Sequence, residues 1–232
     1  MRTPEQSKPA GKQIFIVEDH PIFRLGMTEL INDEPDLTVC GDADTVKGAL
    51  SAIAALSPDL VIADISLREG DGIELIKTLQ QQHPGLPVLV LSMHDEGLFA
   101  ERALSAGAKG YIMKQEAMES VVTAARQVLA GKIYLNDRMK EHILANLSLP
   151  RQDRDLSPMA RLTDRELEVF SLIGQGLSTR AIAERLNLSV KTIGTHRERI
   201  KVKLRLKNAN ELLRHAVNWR RTGQNNGTDT DM

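Results

Sequence analysis

Five polar residues follow short apolar runs in the first half of the chain, where they could bind a cation and a phosphoryl group. Glu18 and Asp19 follow Ile-Phe-Ile-Val, Asp64 follows Leu-Val-Ile-Ala, Ser92 ends Val-Leu-Val-Leu-Ser, and Lys114 follows Gly-Tyr-Ile-Met. Apolar runs of this length, separated by helical patterns, are typical of buried parallel strands. Parallel strands deliver ligand-facing residues at their carboxyl ends. We therefore expect three carboxylates, a hydroxyl and an ammonium group to meet in one crevice.

Such a crevice suits Mg²⁺, which prefers oxygen ligands and commonly keeps several waters. The protein ligands can come from Glu18, Asp19, Asp64 and the backbone carbonyl of Ser66. Asp64 is the candidate nucleophile, because it ends the middle strand alone and could form an aspartyl phosphate. Ser92 could donate a hydrogen bond to a phosphoryl oxygen, and Lys114 could offset its charge.

Each residue also has a purely structural explanation. An acidic residue after a strand is often a helix cap or a solvated loop group. Ser92 could cap the next helix, and Lys114 could be a surface charge. Because five residues stand at four different strand ends, the joint pattern favours a site.

The elements that position these residues alternate along residues 13–130. Strand-like runs cover 13–17, 37–41, 59–63, 87–91 and 109–113, and helical patterns fill about 21–33, 45–56, 72–82, 96–106 and 116–130. Five βα units with short connections predict an α/β domain, a doubly wound five-stranded parallel sheet with helices on both faces.

The rest of the chain is predicted to be a linker and a second, all-α domain. The linker contains an amphipathic stretch, Asp137–Leu147, followed by SLPRQDRDLSP. The helical pattern begins with Thr163-Asp164-Arg165-Glu166, which matches a capping box. The predicted division is a leader over 1–12, the α/β domain over 13–130, a linker over 131–160, a four-helix domain over 161–219 and a disordered tail over 220–232.

Charge and cysteine content narrow the class of protein. Residues 1–130 carry 11 basic and 19 acidic residues, whereas residues 161–221 carry 14 basic and 6 acidic ones. The basic part is therefore the part expected to meet a polyanion such as nucleic acid. A single cysteine, Cys40, excludes an intramolecular disulfide. With no apolar stretch long enough for a bilayer and no signal-peptide core, we expect a cytoplasmic protein without a membrane partner.

Residues 190–205, VKTIGTHRERIKVKLR, have the pattern of a recognition helix. An apolar stripe at Ile193, Ile200 and Leu204, with His196 one turn on from Ile193, should face the other helices. The opposite face carries Lys191, Gly194, Thr195, Glu198, Lys201 and Arg205. A short helix opened by Ser178 precedes it across a tight turn, which predicts a helix-turn-helix. A basic solvated helix, or one that binds a protein, is the alternative.

Four motifs resemble the receiver domain of bacterial two-component response regulators: VEDHPIFRLGM, DLVIADISLREGDGIELIKTL, VLSMHDE and AGAKGYIMK. The resemblance implies a flavodoxin/CheY-like fold with bound Mg²⁺, phosphorylated on Asp64 by a sensor histidine kinase. Ser92 and Lys114 would sense the phosphoryl group, and Tyr111 would swing inward on activation. For Tyr111 an ordinary half-buried strand tyrosine is the alternative.

Two positions depart from many receivers. Gln115 follows Lys114, where relatives often carry a proline in a cis peptide. The loop after Asp64 reads Ser-Leu-Arg-Glu-Gly-Asp-Gly in place of a Met-Pro sequence. A metal contact through the Ser66 carbonyl is compatible with this loop, because a backbone group does not depend on the side chain.

The segment LTDRELEVFSLIGQGLSTRAIAERLNLSVKTIGTHRERIKVKL resembles the LuxR-type helix-turn-helix of the NarL/FixJ regulators. The DNA-contacting residues that this implies are Lys191, Thr192, Thr195, His196, Glu198 and Lys201, with Thr195 and Glu198 nearest the bases. Glu198 could accept from a cytosine amino group or pair with Lys201 or Lys191. Gly194 stands where relatives use lysine.

The fourth helix of this domain, about 208–219, is the usual dimer contact in the family. Leu212, Leu213 and Ala216 suit that contact, but they could equally be intradomain core.

The main hypothesis is a transcription regulator that is switched by phosphorylation and dimerises on paired promoter half-sites, with RNA polymerase as a further partner. A second hypothesis keeps DNA binding with a receiver that does not respond to phosphorylation. A third is a phosphatase or phosphotransferase. It is disfavoured because Ser66 stands where such hydrolases carry a second acid, so only self-phosphorylation and slow autodephosphorylation at Asp64 are expected. The acidic-site pattern also disfavours a ligand-sensing quorum regulator.

Overall fold

A computed structural model describes residues 11–67, 71–93, 97–148, 158–186 and 188–225. The described residues form two compact units. The first unit holds residues 11–93 and 102–135, with the gaps stated above, and the second holds 97–101 and 136–225. The predicted leader lies outside the described residues except for its last two positions.

The first half of the chain alternates strand and helix as predicted. The elements are β1 (Lys12–Val17), α1 (Pro21–Asn32), β2 (Leu37–Ala43), α2 (Val46–Leu56), β3 (Leu60–Asp64), α3 (Gly72–Gln82), β4 (Val88–Ser92), α4 (Gly97–Ala106), β5 (Gly110–Met113) and α5 (Lys114–Leu129). All neighbouring strands pair in parallel, in the order β2-β1-β3-β4-β5. The predicted doubly wound sheet is confirmed.

Strands β3, β4 and β5, and β1 from Ile14 onward, consist of buried and mostly apolar residues because both faces of the sheet are covered there, whereas the edge strand β2 is only partly buried. Ile14 and Ile16 of β1 join one core cluster with Met27 of α1 and Val121 of α5. Phe15, on the opposite side of β1, is also fully buried. A strand with both faces buried has no solvated positions to fill with polar residues.

The order of the strands places a crevice at their carboxyl ends, because β2 is added on one side of β1 and β3 on the other, so that the strand order reverses there. In the register, Val17 lies beside Ala63, Asp64 beside Leu91, and Ser92 beside Met113. β5 then leads directly into α5, which begins at Lys114, two residues before the predicted start.

The predicted linker, 131–160, contains ordered structure. Tyr134 forms an isolated parallel bridge with Gly110, and its carbonyl accepts from the backbone N–H of Tyr111 at 2.9 Å. The amphipathic stretch is a helix, α6 (Asp137–Ser148). Residues 149–157 lie outside the described residues.

The second unit is helical from a 3₁₀ turn (Pro158–Arg161) onward. Its elements are α7 (Asp164–Gly174), α8 (Thr179–Arg185), α9 (Val190–Leu204) and α10 (Ala209–Asn225). The capping box is present: the hydroxyl of Thr163 accepts from the Glu166 N–H, and a Glu166 carboxylate oxygen accepts from the Thr163 N–H. Ser178 and Ser189 cap the next two helices by accepting from backbone N–H groups.

Helix α10 passes close to α7. A Cβ at Gly174 would lie 2.6 Å from the carbonyl oxygen of Ala216, so the crossing needs a glycine there. Helix α10 runs six residues beyond the predicted 219, so the start of the predicted disordered tail is helical, and 226–232 lie outside the described residues. Among the described residues, no helix combines the length and apolar character needed to cross a bilayer.

Candidate functional site

The side chains of Glu18, Asp64 and Lys114 meet at the carboxyl ends of the strands. The Lys114 Nζ lies 2.8 Å from Asp64 Oδ2 and 2.7 Å from Glu18 Oε2. Both carboxylates are fully buried, and Lys114 is 8% exposed. The ammonium group therefore lies between two buried carboxylates and compensates part of their charge.

The surroundings of Asp64 shift its protonation. Burial raises the pKa of Asp64 to about 6; the Lys114 ammonium opposes this shift and the Glu18 carboxylate adds to it. Against the effect of burial, the two carboxylates raise the pKa of Lys114, which keeps it charged. The Ser66 N–H donates to Asp64 Oδ1 at 2.8 Å.

The loop that carries Ser66 folds tightly against the end of β3. A Cβ at Gly72 would lie 2.4 Å from the Cα of Ile65 and 2.7 Å from the carbonyl oxygen of Asp64. Gly72 therefore allows the start of α3 to approach the backbone that holds Asp64. Residues 68–70 of this loop, whose sequence differs from that of many receivers, lie outside the described residues.

Two further residues, His20 in the turn between β1 and α1 and Arg24 in the first turns of α1, contact the acidic residues of the crevice or its border and were not predicted from the sequence. The His20 Nδ1 lies 2.8 Å from Asp19 Oδ1 and 2.9 Å from Glu18 Oε1. The Arg24 Nε lies 2.7 Å from Asp42 Oδ2, and its guanidinium also donates to the carbonyl oxygen of Glu18. The Glu-Asp-His sequence was the available signal for His20, because it puts an imidazole next to two candidate ligands.

The donor set fits a divalent cation. Ligand atoms of Glu18, Asp19, His20 and Asp64 all lie within 4.8 Å of one another. Glu18 Oε2 is buried and accepts no well-aligned hydrogen bond within the described parts of the chain, although the Lys114 ammonium is close to it. Carboxylate oxygens that converge in this way suit Mg²⁺.

Ser92 and Tyr111 are both fully buried. Ser92 is the last residue of β4 and follows Leu91, which lies beside Asp64 on the neighbouring strand. Tyr111, in β5, is the largest fully buried side chain described. Tyr111 is thus more deeply buried than the half-buried tyrosine of the alternative, and its movement on activation stays a prediction.

The face of α9 predicted to meet DNA is largely open to solvent. Lys191 and Thr195 are exposed, whereas Ile193 and Ile200 of the predicted stripe are fully buried. The Glu198 carboxylate, 70% exposed, pairs with the Lys201 Nζ at 2.9 Å, which is one of the two ion pairs predicted for it. Thr192 is half-buried, with its hydroxyl 2.8 Å from that of Ser189.

His196 differs from the other predicted DNA contacts, because it is half-buried and its Nδ1 is fully covered. This nitrogen has no hydrogen-bond partner among the described residues. Burial and then the nearby Arg165 guanidinium lower the pKa of His196. The covered Nδ1 is thus unavailable to DNA in this conformation.

Two of the three predicted dimer residues are buried within the second unit, which corrects that prediction. Leu212 and Ala216 are fully buried, because α10 packs against α7. Leu213 is 43% exposed. The intradomain alternative therefore holds for Leu212 and Ala216.

Comparisons with known proteins agree with both units. Residues 14–126 match the family model of the response regulator receiver domain, and residues 160–216 match that of the bacterial regulatory proteins of the luxR family. The response regulator GacA of Pseudomonas aeruginosa is 34% identical over 88% of this chain and 95% of its own. The DNA-binding transcriptional activator DevR/DosR of Mycobacterium tuberculosis is 32% identical over 83% and 88%.

Solved structures of RcsB from Salmonella are also similar. One superposes with a TM-score of 0.60 at 26% identity, over 90% of this chain and 98% of RcsB. Another, RcsB bound to a promoter in the presence of the phosphomimetic BeF3⁻, gives 0.58 at 25% identity, over 89% and 98%.

Proposed function

The chain belongs to the two-component response regulators that join a receiver domain to a LuxR-type DNA-binding domain, and on this premise we propose that phosphorylation of Asp64 by a sensor histidine kinase switches its action on DNA. The observation that carries the proposal is the burial of Asp64 at the crevice, within 2.8 Å of the Lys114 ammonium. The family is one of DNA-binding regulators and not of classical enzymes. Self-phosphorylation and slow loss of the phosphoryl group at Asp64 are the only chemistry proposed.

The residues of the crevice have distinct proposed roles in phosphoryl transfer. The ligands for Mg²⁺ would be the carboxylates of Glu18, Asp19 and Asp64 and the backbone carbonyl of Ser66. When bound, the ion would neutralise charge on the phosphoryl oxygens. An Asp64 carboxylate oxygen attacks phosphorus, and the bond to the donor breaks. The Ser92 hydroxyl donates to a phosphoryl oxygen, while Lys114 balances its negative charge.

Phosphorylation would then shift an equilibrium between two conformations. Ser92 ends β4, and Tyr111 lies on the neighbouring strand β5, beside Val90, so a change at the phosphoryl group can reach β5. The active conformation would favour a dimer whose two α9 helices engage paired half-sites. Such a regulator would act in the cytoplasm, with RNA polymerase as a further partner. RcsB, bound to a promoter with a phosphomimetic, provides the precedent.

The first test is phosphorylation by acetyl phosphate with Mg²⁺, followed by intact mass and peptide mapping. The wild type should gain one phosphoryl group at Asp64, and Asp64→Asn should gain none there. Asp33→Asn is the matched control, because it makes the same change at an exposed carboxylate that ends α1. Label at another residue in the wild type would refute the assignment.

The second test is the retention of genomic fragments with and without Mg²⁺–beryllofluoride. Fragments enriched only with the mimic would support the switch, and their half-site spacing would report the dimer. Equal enrichment in both samples would favour the second hypothesis, in which the receiver does not control DNA binding.

A further inference from the structure

His20 lies beside the acidic residues of the crevice, and we propose that its Nδ1 is a direct ligand of the metal ion there, which makes the site favour transition-metal ions such as Mn²⁺ over Mg²⁺. The inference rests on the proposed function, since it concerns the same site. An imidazole nitrogen strengthens binding of first-row transition metals more than that of Mg²⁺, which prefers oxygen. One residue would thus set the metal preference of this receiver.

The spacing of the donor atoms supports the assignment. The Nδ1 of His20 lies 2.9 Å from Glu18 Oε1 and 2.8 Å from Asp19 Oδ1. Adjacent ligands of an octahedral ion, with bonds of about 2.1 Å, are about 3 Å apart. The His20 Nδ1 therefore has, to each of the two carboxylate oxygens, the separation of neighbouring ligands on one ion.

The backbone of the turn holds His20 in this position. The His20 N–H donates to Glu18 Oε1 at 3.0 Å, and the Arg24 guanidinium holds the carbonyl of Glu18. Because Pro21 begins α1 directly afterwards, the histidine is fixed between β1 and the helix. Its side chain is 50% exposed, which leaves Nε2 room to carry the proton while Nδ1 offers its lone pair.

The same distances also fit a simpler arrangement, in which a protonated Nδ1 only donates hydrogen bonds to the two carboxylates. That arrangement makes His20 a positioning residue, whose loss would weaken all divalent cations alike. A direct ligand predicts instead a loss that depends on the metal. The ratio of Mn²⁺ to Mg²⁺ affinity therefore separates the two roles.

The experiment uses the full chain, stripped of metal, with Mn²⁺ and Mg²⁺ as probes. Electron paramagnetic resonance measures the concentration of free Mn²⁺, and competition of Mg²⁺ with bound Mn²⁺ gives the Mg²⁺ affinity. Pulsed electron paramagnetic resonance of the Mn²⁺ complex detects a nitrogen that is bound to the ion. His20→Gln should lower Mn²⁺ affinity, leave Mg²⁺ affinity nearer that of the wild type so that the ratio of the two affinities falls, and remove the imidazole ¹⁴N modulation. His83→Gln, at a half-buried histidine after α3, is the control and should change none of these.

Two results would overturn the assignment: no imidazole modulation in the wild type, or an unchanged metal ratio in His20→Gln. Phosphorylation by acetyl phosphate in Mg²⁺ is measured on the same samples. A nitrogen-bound Mn²⁺ without label on Asp64 would refute the proposed function and keep the ligand. Label on Asp64 with a nitrogen-free Mn²⁺ site would refute the ligand and keep the function.

Discussion

The crevice of the receiver unit holds its charged side chains in the interior, whereas the outer face of helix α9 of the second unit carries charged side chains in water. Glu18 and Asp64 are fully buried, while Lys191 and Glu198 are exposed. A buried charge interacts strongly with its neighbours and depends on them, but an exposed one is screened. Substitutions in the crevice should therefore change stability and function together, and substitutions on the outer face of α9 should change DNA binding alone.

The largest effect should follow the loss of the buried ammonium group. Lys114→Met leaves two buried carboxylates facing each other, so the free energy of unfolding should fall by about 3–5 kcal/mol. Urea titration followed by circular dichroism, in a chelator at neutral pH, measures the change. Lys77→Met is the control, because Lys77 forms an exposed ion pair with Glu74 on α3 and its loss should cost less than about 1 kcal/mol. Similar losses in both variants would show that burial of the charge does not set the cost of removing it.

A second substitution in the crevice should act in the opposite direction. The pKa of Asp64 is raised to about 6, so the folded state holds a proton that the unfolded state releases from near pH 4 upward. Stability contributed by this group is therefore lost as the pH rises from about 4 to about 6. Asp64→Asn removes that cost, and should raise the free energy of unfolding by about 1–3 kcal/mol at neutral pH.

The pH dependence tests the cause of that gain. In a chelator, the advantage of Asp64→Asn should shrink as the pH falls from about 6 to about 4, and it should be lost below that range, where the wild-type carboxyl is protonated in both states. Asp33→Asn, at an exposed carboxylate, should show no comparable gain at either pH. A destabilised Asp64→Asn at neutral pH would mean that the contact with Lys114 outweighs the burial of the charge.

In the second unit, a smaller effect is expected from the cap of α9. The Ser189 hydroxyl accepts from the Thr192 N–H at 3.0 Å, and Ser189→Ala should cost about 1 kcal/mol. The fluorescence of Trp219 reports unfolding of this unit, since its ring lies 5.6 Å from that of Phe170. Ser189→Asp retains a capping oxygen and should keep most of the stability; an equal loss in both variants would exclude the cap as the cause.

The sequence predicts the crevice well because each apolar run sets both the strand and the point where it ends. Once β1, β3 and β4 are parallel neighbours, Asp64 and Ser92 must lie at one edge of the sheet. His20 and Arg24 could not be predicted in the same way, because their contacts depend on how the turn after β1 folds against Glu18 and Asp42.

For the second unit, periodicity predicts which residues are buried but not what buries them. The apolar positions of α10 suit a second copy of the chain and the neighbouring helix equally. Leu212 and Ala216 pack within the unit, where Gly174 permits the close crossing. The outer face of α9 differs from both cases, because packing within the chain does not determine what an exposed lysine contacts; its contacts would be made with DNA.

The smallest effect on stability, and the sharpest separation between the two units, is expected at Lys191. Its side chain is exposed at the start of α9, so Lys191→Ala should change the free energy of unfolding by less than about 0.5 kcal/mol. If Lys191 contacts a phosphate, the slope of log affinity against log salt should fall in magnitude by about 1. Fluorescence anisotropy of enriched DNA fragments across a salt series measures it. Lys132→Ala removes the same charge from an exposed position in the receiver unit; an equal change of slope there would show that net charge, and not the recognition helix, controls DNA affinity.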